Sequence, residues 1–310
     1  MVKKPPWLEL EENVWANILH KLGAIEILET AQKVCTTWRR ICKEPSMWRI
    51  INMTNDGDLS DMDYDLEEMC RYAIDRSQGE LVDINLEYFA TGPLLQYIAQ
   101  RSGKLKRLSS ACYHSMLCDG LVEAVQKLPL LEELSLTHTI ITTEGIESLG
   151  LSCPLLKSFE LNNSLYDYFD NEDARNEEAL AIAKNLPALH HLQLIGNSMT
   201  NKGLEAILDG CPHLVSLDLR LCIYVSLNEV LSSRISGQIK DVKHPHDSLA
   251  GLEFSFTAYG EDDDEDDMSS EDDEDYTSSE EDEDDTSSRM MKMTRHRRMM
   301  KLTCLMITDY

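Results

Sequence analysis

Six segments of this 310-residue chain carry one pattern, an L-x-x-L-x-L core with substitutions, and no other feature restricts its possible folds as much. They read LVDINL from Leu81, LKRLSS from Leu105, LEELSL from Leu131, LKSFEL from Leu156, LHHLQL from Leu189 and LVSLDL from Leu214. Their starts lie 24, 26, 25, 33 and 25 residues apart, the 33 being a 25 with an insertion in the stretch YDYFDNEDARN. Fainter copies flank the array, WRIINM from Trp48 and LAGLEF from Leu249, and the copy at Leu105 has Ser110 where an apolar residue belongs. Within a copy the apolar residues alternate, so Leu134 and Leu136 point the same way along a strand. Between copies the period changes. GLVEAVQKL, GIESLGL, ALAIAKNL and GLEAIL place apolar residues three and four apart, as a helix does. Four of these helices stop just before Pro129, Pro154, Pro187 and Pro212, because proline cannot continue a helix. A single strand-turn-helix unit cannot bury its own apolar face, whereas stacked units share a core, so the array predicts a curved α/β solenoid.

The charge is concentrated outside this array. The net charge is -27, and residues 261–288 hold 18 acidic residues with no Lys or Arg, which leaves about -9 for everything else. Phosphates would be repelled, so nucleic acid is not an expected partner. No apolar run reaches the ~18–20 residues a membrane span needs, and the start MVKKPPWLEL lacks the apolar core of a secretory signal. Nine cysteines, none spaced C-x-x-C, fit reduced thiols in the cytoplasm or nucleus better than disulfides or a zinc cluster.

Ahead of the repeats the pattern is helical. ENVWANILHKL puts Val14, Ile18, Leu19 and Leu22 on one face. GAIEIL forms a second, short helix, and ETAQKVCTTWRRIC sets Ala31, Val34, Cys35, Trp38, Ile41 and Cys42 on a third stripe. Pro45 then breaks the chain, and Trp48 follows. About 45 residues cannot bury so much apolar surface alone, so part of it must dock on the repeats or on a partner.

Two resemblances follow from these residues. The L-x-x-L-x-L cores and the pairs Cys153-Pro154 and Cys211-Pro212 resemble cysteine-containing leucine-rich repeats. WLELEENVWANILHKL, VCTTWRRICKEPSMW and MCRYAIDRSQGELVDINL are similar to the F-box region of small plant F-box proteins with leucine-rich repeats. The resemblance implies a three-helix F-box over 5–50 and repeats over 51–256, six to eight units with caps. A disordered acidic Ser-rich segment (257–288) and a basic, Met-rich tail (289–310) follow. It implies a non-catalytic subunit: the F-box would bind the Skp-type adaptor of a cullin-RING ubiquitin ligase of the SCF type, and the repeats would bind a protein target. Leu10, Ile18, Leu19 and Leu22 would face the adaptor, with Val34, Cys35 and Trp38 completing the contact, and Trp48 would join the F-box to the first repeat. The chain departs from the family at Leu10-Glu11, where F-boxes commonly have Leu-Pro. Glutamate suits a first helical turn but cannot supply the apolar contact of proline, which points to a weaker hold on the adaptor.

No catalytic constellation competes with this reading. No H-E-x-x-H, G-x-S-x-G or phosphate-loop pattern occurs, His244-Pro-His246 lacks carboxylate company, and no cofactor is expected. Cys153 and Cys211 suit small buried roles, and burial of Cys35 on an apolar helix face would argue against a nucleophile. The expected target surface is the inner sheet face: Glu133, Ser135 and Thr137, then Ser158, Glu160 and Asn162. It continues with His191, Gln193 and Ile195, then Ser216, Asp218 and Arg220. In the acidic run, Ser269, Ser270, Ser278 and Ser279 each have an acidic residue three positions on, which suits an acid-directed kinase. Arg295, Arg297, Arg298 and Lys301 form a basic patch of the nuclear-import type. A third resemblance, to acidic nuclear scaffolds whose tails capture histones, rests on repeats followed by an acidic run. The N-terminal module discriminates, since those proteins have none.

Overall fold

The computed structural model describes residues 10–55, 65–112, 118–139, 141–163, 171–250 and 252. The chain starts with α1 (Glu12–His20) and then α2 (Gly23–Glu26), which runs on through a π-helical turn (Ile27–Ala31) into α3 (Gln32–Val34). Cys35 leaves the helical region at φ -155° and ψ 167° and caps α4 (Thr36–Ile41). A 3-10 turn, Pro45–Trp48, leads to the repeats. The expected third stripe is therefore split. Val34 ends one helix, Trp38 belongs to the next, and Cys35 stands at the break.

Among the described residues eight strands follow: β1 (Ile50–Met53), β2 (Asp83–Glu87), β3 (Arg107–Ala111), β4 (Glu133–Thr137), β5 (Ser158–Asn162), β6 (His191–Gln193), β7 (Ser216–Asp218) and β8 (Asp241–Lys243). They form one parallel sheet in chain order. The return segments are α5 (Leu66–Ser77), α6 (Gly92–Arg101), α7 (Cys118–Val125), α8 (Thr143–Ser152), α9 (Glu172–Asn185), α10 (Asn201–Gly210) and α11 (Glu229–Gln238). The register aligns Ile51, Ile84, Leu108, Leu134, Phe159, Leu192, Leu217 and Val242 in one row across the sheet. All but Val242 are buried. Packed helices need about 8–10 Å each and paired strands about 4.8 Å, so the sheet lines the inside of the curve. Small residues let the helices close up. A Cβ on Gly150 of α8 would lie 2.3 Å from the Asn185 carbonyl oxygen of α9, and one on Gly210 of α10 would lie 2.2 Å from that of Ala183.

Four copies leave the sheet by a similar route. Tyr88, His138, Gly196 and Leu221 hold equivalent places after their strands and all adopt positive φ, from 54° to 68°. Such a backbone is unstrained only for the glycine. The repeat cysteines are buried, as their sequence context implies. The Cys153 thiol donates to the Val125 and Leu128 carbonyls of the preceding repeat and Cys211 to that of Leu186. Burial pushes these thiols up to about 12 and about 11. Ser110, the irregular core residue, is tolerated because its hydroxyl meets the Cys112 sulfur at 3.7 Å.

Two expectations about the array change. Ile239 and Val242 stand 25 residues after Leu214 and Leu217, so IKDV is a further copy, the last strand among the described residues, while the expected copy LAGLEF runs out of the described residues. The expected insertion is partly helix, since α9 starts at Glu172. Among the described residues no helix is long and apolar enough to cross a membrane.

Candidate functional site

The N-terminal module hides one apolar face of α1 and presents another. Trp15 and Leu19, one turn apart, are buried, whereas Val14 is exposed and Ile18 half-buried on the neighbouring flank. Leu19, expected at the adaptor surface, is 0% exposed; it belongs to the core and has no surface to offer. Leu10, Leu22 and Trp38 are half-buried and pack on that core. The Trp38 ring tilts at 57° against Trp15, with centroids 5.1 Å apart. Val34 is 52% exposed, because the chain turns out of the helix immediately after it.

The break at Cys35 also corrects its expected burial. Cys35 is exposed, and its sulfur accepts from the Trp38 backbone N–H at 3.4 Å. Glu11 is the residue before α1 rather than part of its first turn, and its carbonyl receives the N–H groups of Val14 and Trp15. Glu12 takes the first-turn place and accepts both ends of the Arg40 guanidinium, tying α1 to α4. The hydrogen bonds from Arg40 hold the Glu12 carboxyl below its usual range.

Trp48 lies at the junction with the repeats. It is fully buried, and its indole N–H donates to the Cys42 carbonyl at 2.8 Å. Arg76 of α5 was not singled out by sequence reasoning. Its guanidinium donates to the same carbonyl at 3.2 Å and to Gln32 Oε1 at 3.1 Å, and lies 5.4 Å from the centre of a Trp48 ring. Two elements that are remote in sequence thus close on one tryptophan. No local pattern signals this, because the partners are 28 to 44 residues from Arg76.

On the inner sheet face the register makes two outward rows. Asp83, Arg107, Glu133, Ser158, His191, Ser216 and Asp241 form one; Asn85, Ser109, Ser135, Glu160, Gln193, Asp218 and Lys243 form the other. Glu133 and His191 are exposed, and Ser135, Ser158, Glu160, Gln193 and Ser216 are partly so. The third member of each expected group is buried: Thr137, Asn162, Ile195 and Arg220. They sit where the strands leave the sheet and neighbouring repeats cover each other. Asn162 donates to Thr137 Oγ1 and accepts from the Ile195 backbone N–H and the Gln193 amide. Asp218 is also buried and holds Arg220 through a paired hydrogen bond, so the two neutralise each other rather than facing outward. The face carries a shallow depression of about 130 Å³ lined by Ser158, Glu160, His191, Gln193, Ser216 and Asp241, among others.

His244 does have carboxylate company, its Nδ1 lying 3.5 Å from Asp247. Among the described residues no group of three or more His, Cys, Asp or Glu could hold a metal ion. Ser269, Ser270, Ser278, Ser279 and the basic patch Arg295, Arg297, Arg298 and Lys301 lie outside the described residues.

Comparison with known proteins matches two parts of the chain to family models: residues 7–50 to the F-box domain and residues 127–150 to a leucine-rich repeat. F-box protein SKIP19 of Arabidopsis thaliana is 49% identical over 263 residues, covering 85% of this chain and 84% of that protein. Putative F-box/LRR-repeat protein 23 of the same plant is 47% identical over 242 residues, 78% of this chain and 54% of that protein, so the chain spans about half of that relative's length.

Proposed function

The chain belongs to the F-box/leucine-rich-repeat family, and from that premise we propose that it is the substrate-recognition subunit of an SCF-type cullin-RING ubiquitin ligase. The module of α1 to α4 holds a Skp-type adaptor. The repeats hold a protein target on the inner face, for ubiquitination and degradation by the proteasome. The chain itself makes and breaks no bond. It raises the effective concentration of the target's lysines at a ubiquitin-charged enzyme.

The observation that carries this reading is the exposure of Val34, with Trp38 half-buried on the next helix, on a module too small to cover its own apolar surface. Val14, Ile18, Leu22 and Leu10 extend the proposed contact. Leu19 and Trp15 support it from beneath. On the repeats, the proposed target contacts are Glu133, Ser135, Ser158, Glu160, His191, Gln193 and Ser216, whose side chains reach solvent.

Capture of a plant Skp-type adaptor and its cullin by the full-length chain tests the reading. The parent should retain both. Replacing Val34 and Trp38 together by alanine should release them, and because Trp38 also packs on Trp15, Val14→Asp provides a second variant that leaves that contact in place. Retention of adaptor by both variants would falsify the proposal.

A further inference from the structure

The rim where helices end and strands begin differs in chemistry from the rest of this acidic chain. Backbone hydrogen bonds run along it from repeat to repeat. The N–H of Lys157 donates to the Glu132 carbonyl at 2.8 Å, His190 to Lys157 at 2.8 Å, Val215 to His190 at 2.7 Å and Lys240 to Val215 at 3.1 Å. One turn back stands a parallel row that includes Leu130 and Leu155, each directly after a repeat proline, and His213. The His190 and His213 rings stack at 6.2 Å across the two rows. The rim is therefore continuous from the third repeat helix to the last strand.

Among the described residues four of its lysines make no ion pair, whereas Lys104, Lys106 and the rim's acids do; Lys157 acts on the Glu132 carboxylate only at longer range. Lys127, Lys157, Lys184 and Lys240 are exposed, and none makes an ion pair among the described residues. The rim's acidic side chains, Glu80, Glu132 and Asp209, are each held by a cation: Lys104, Lys106 and Arg234. Unpaired acids begin one residue further on, at Glu133 and Asp241 of the sheet face. Large apolar side chains stand out between the lysines. Leu151 at the end of α8 is 79% exposed, Leu155 is 44% exposed, and Leu130 and Val215 are also exposed. The helix dipole favours lysine at a helix end, which accounts for Lys127 and Lys184. It accounts neither for Lys157 and Lys240, which stand directly before strands, nor for leucines left in water.

We infer that this rim is a docking surface for an acidic, leucine-bearing segment of a partner protein, separate from both the N-terminal module and the inner sheet face. Unpaired lysines on a chain of net charge -27 complement carboxylates, and they steer encounter and orientation. Leu151, Leu155 and Leu130 supply the apolar contact that carboxylates alone lack, since exposed apolar groups gathered within a polar border mark interaction sites. The inference does not rest on the ligase reading, because no residue of the rim belongs to the proposed adaptor or target contacts.

The test uses the full-length chain and a fluorescein-labelled synthetic peptide of Glu-Asp pairs separated by leucines, followed by anisotropy across a salt series. The parent should bind, and more weakly as salt rises. The doubly reversed chain Lys157→Glu/Lys184→Glu should lose roughly tenfold in affinity, as should Leu151→Ser/Leu155→Ser. All four side chains are exposed, and circular dichroism checks that both variants remain folded. The inference is overturned if the parent does not bind, or if both variants bind as the parent does. It is also overturned if a peptide with serine in place of leucine binds equally well, which would mean charge alone, or if vesicles of anionic lipid bind at the rim and the peptide does not.

Discussion

Replacing Arg76 with alanine tests whether the N-terminal module and the first repeat are held as one body. The guanidinium bridges the Cys42 carbonyl, Gln32 and the face of Trp48, and also receives support from the Tyr72 hydroxyl oxygen at 2.7 Å. Hydrogen bonds of a charged donor contribute about 1.5–3 kcal/mol when buried. Arg76 is half-buried, so solvent screens part of that. The Cys42 carbonyl keeps its bond from the Trp48 indole, and Gln32 Oε1, which loses its donor, is on a half-buried side chain that water reaches. With both discounts the expected loss for Arg76→Ala is about 2 kcal/mol. Arg76→Lys keeps the charge but lacks the planar fork that reaches two acceptors at once, so about half of that loss should remain. Urea unfolding measures both variants. Hydrogen exchange adds a local readout: amides of residues 42–48 should exchange faster in the alanine variant, while those of β4 to β6 should not change. A loss below about 0.5 kcal/mol, the range of ordinary surface substitutions, refutes the idea that Arg76 fastens this junction.

Three further outcomes are expected. Burial lifts the Glu178 carboxyl to about 7, against the lowering effect of the Asn197 amide. The folded state thus keeps a proton that the unfolded chain has released, and stability should fall as pH rises from about 4.5 to about 7; thermal melts should show Glu178→Gln removing a penalty of up to about 3 kcal/mol at pH 8 and changing little at pH 4. The Ser102 hydroxyl is buried with no hydrogen-bond partner, at the place where Cys153 and Cys211 stand in later repeats, so Ser102→Ala should raise urea stability by about 1 kcal/mol. Gly210→Ala should lower it by about 1–3 kcal/mol, because its Cβ meets the carbonyl oxygen of Ala183, a backbone atom that cannot rotate away.

The repeats were legible because their period is enforced by the fold itself. Each core leucine must meet its counterpart one strand away, and the row from Ile51 to Val242 records that requirement. The copy at Ile239 was missed because Ile and Val replace the leucines, although its spacing of 25 was there to be counted. Strand ends were misread for a different reason. Alternation correctly assigns Glu133 and Ser135 to the solvent side of the sheet, but it carries no information about the neighbouring repeat that covers Thr137 and Asn162. The N-terminal module misleads through its tryptophans. Helical spacing is as consistent with Val14 inward as with Trp15 inward, and only the packing of Trp15 on Trp38 decides between them. The helix break at Cys35 has no proline or glycine to announce it, which is why Val34 and Trp38 were placed on a single stripe.

The most direct measurement is calorimetric titration of a Skp-type adaptor into the full-length chain, its Val34→Asp variant and a control, Val230→Asp. Val230 lies on α11, as far along the chain as the described helices extend, and is exposed. An aspartate forced into an apolar contact should weaken binding by about 2–3 kcal/mol, roughly a hundredfold, while the control binds as the parent does. Equal affinity for all three proteins, or no adaptor binding by the parent, contradicts the assignment of this face.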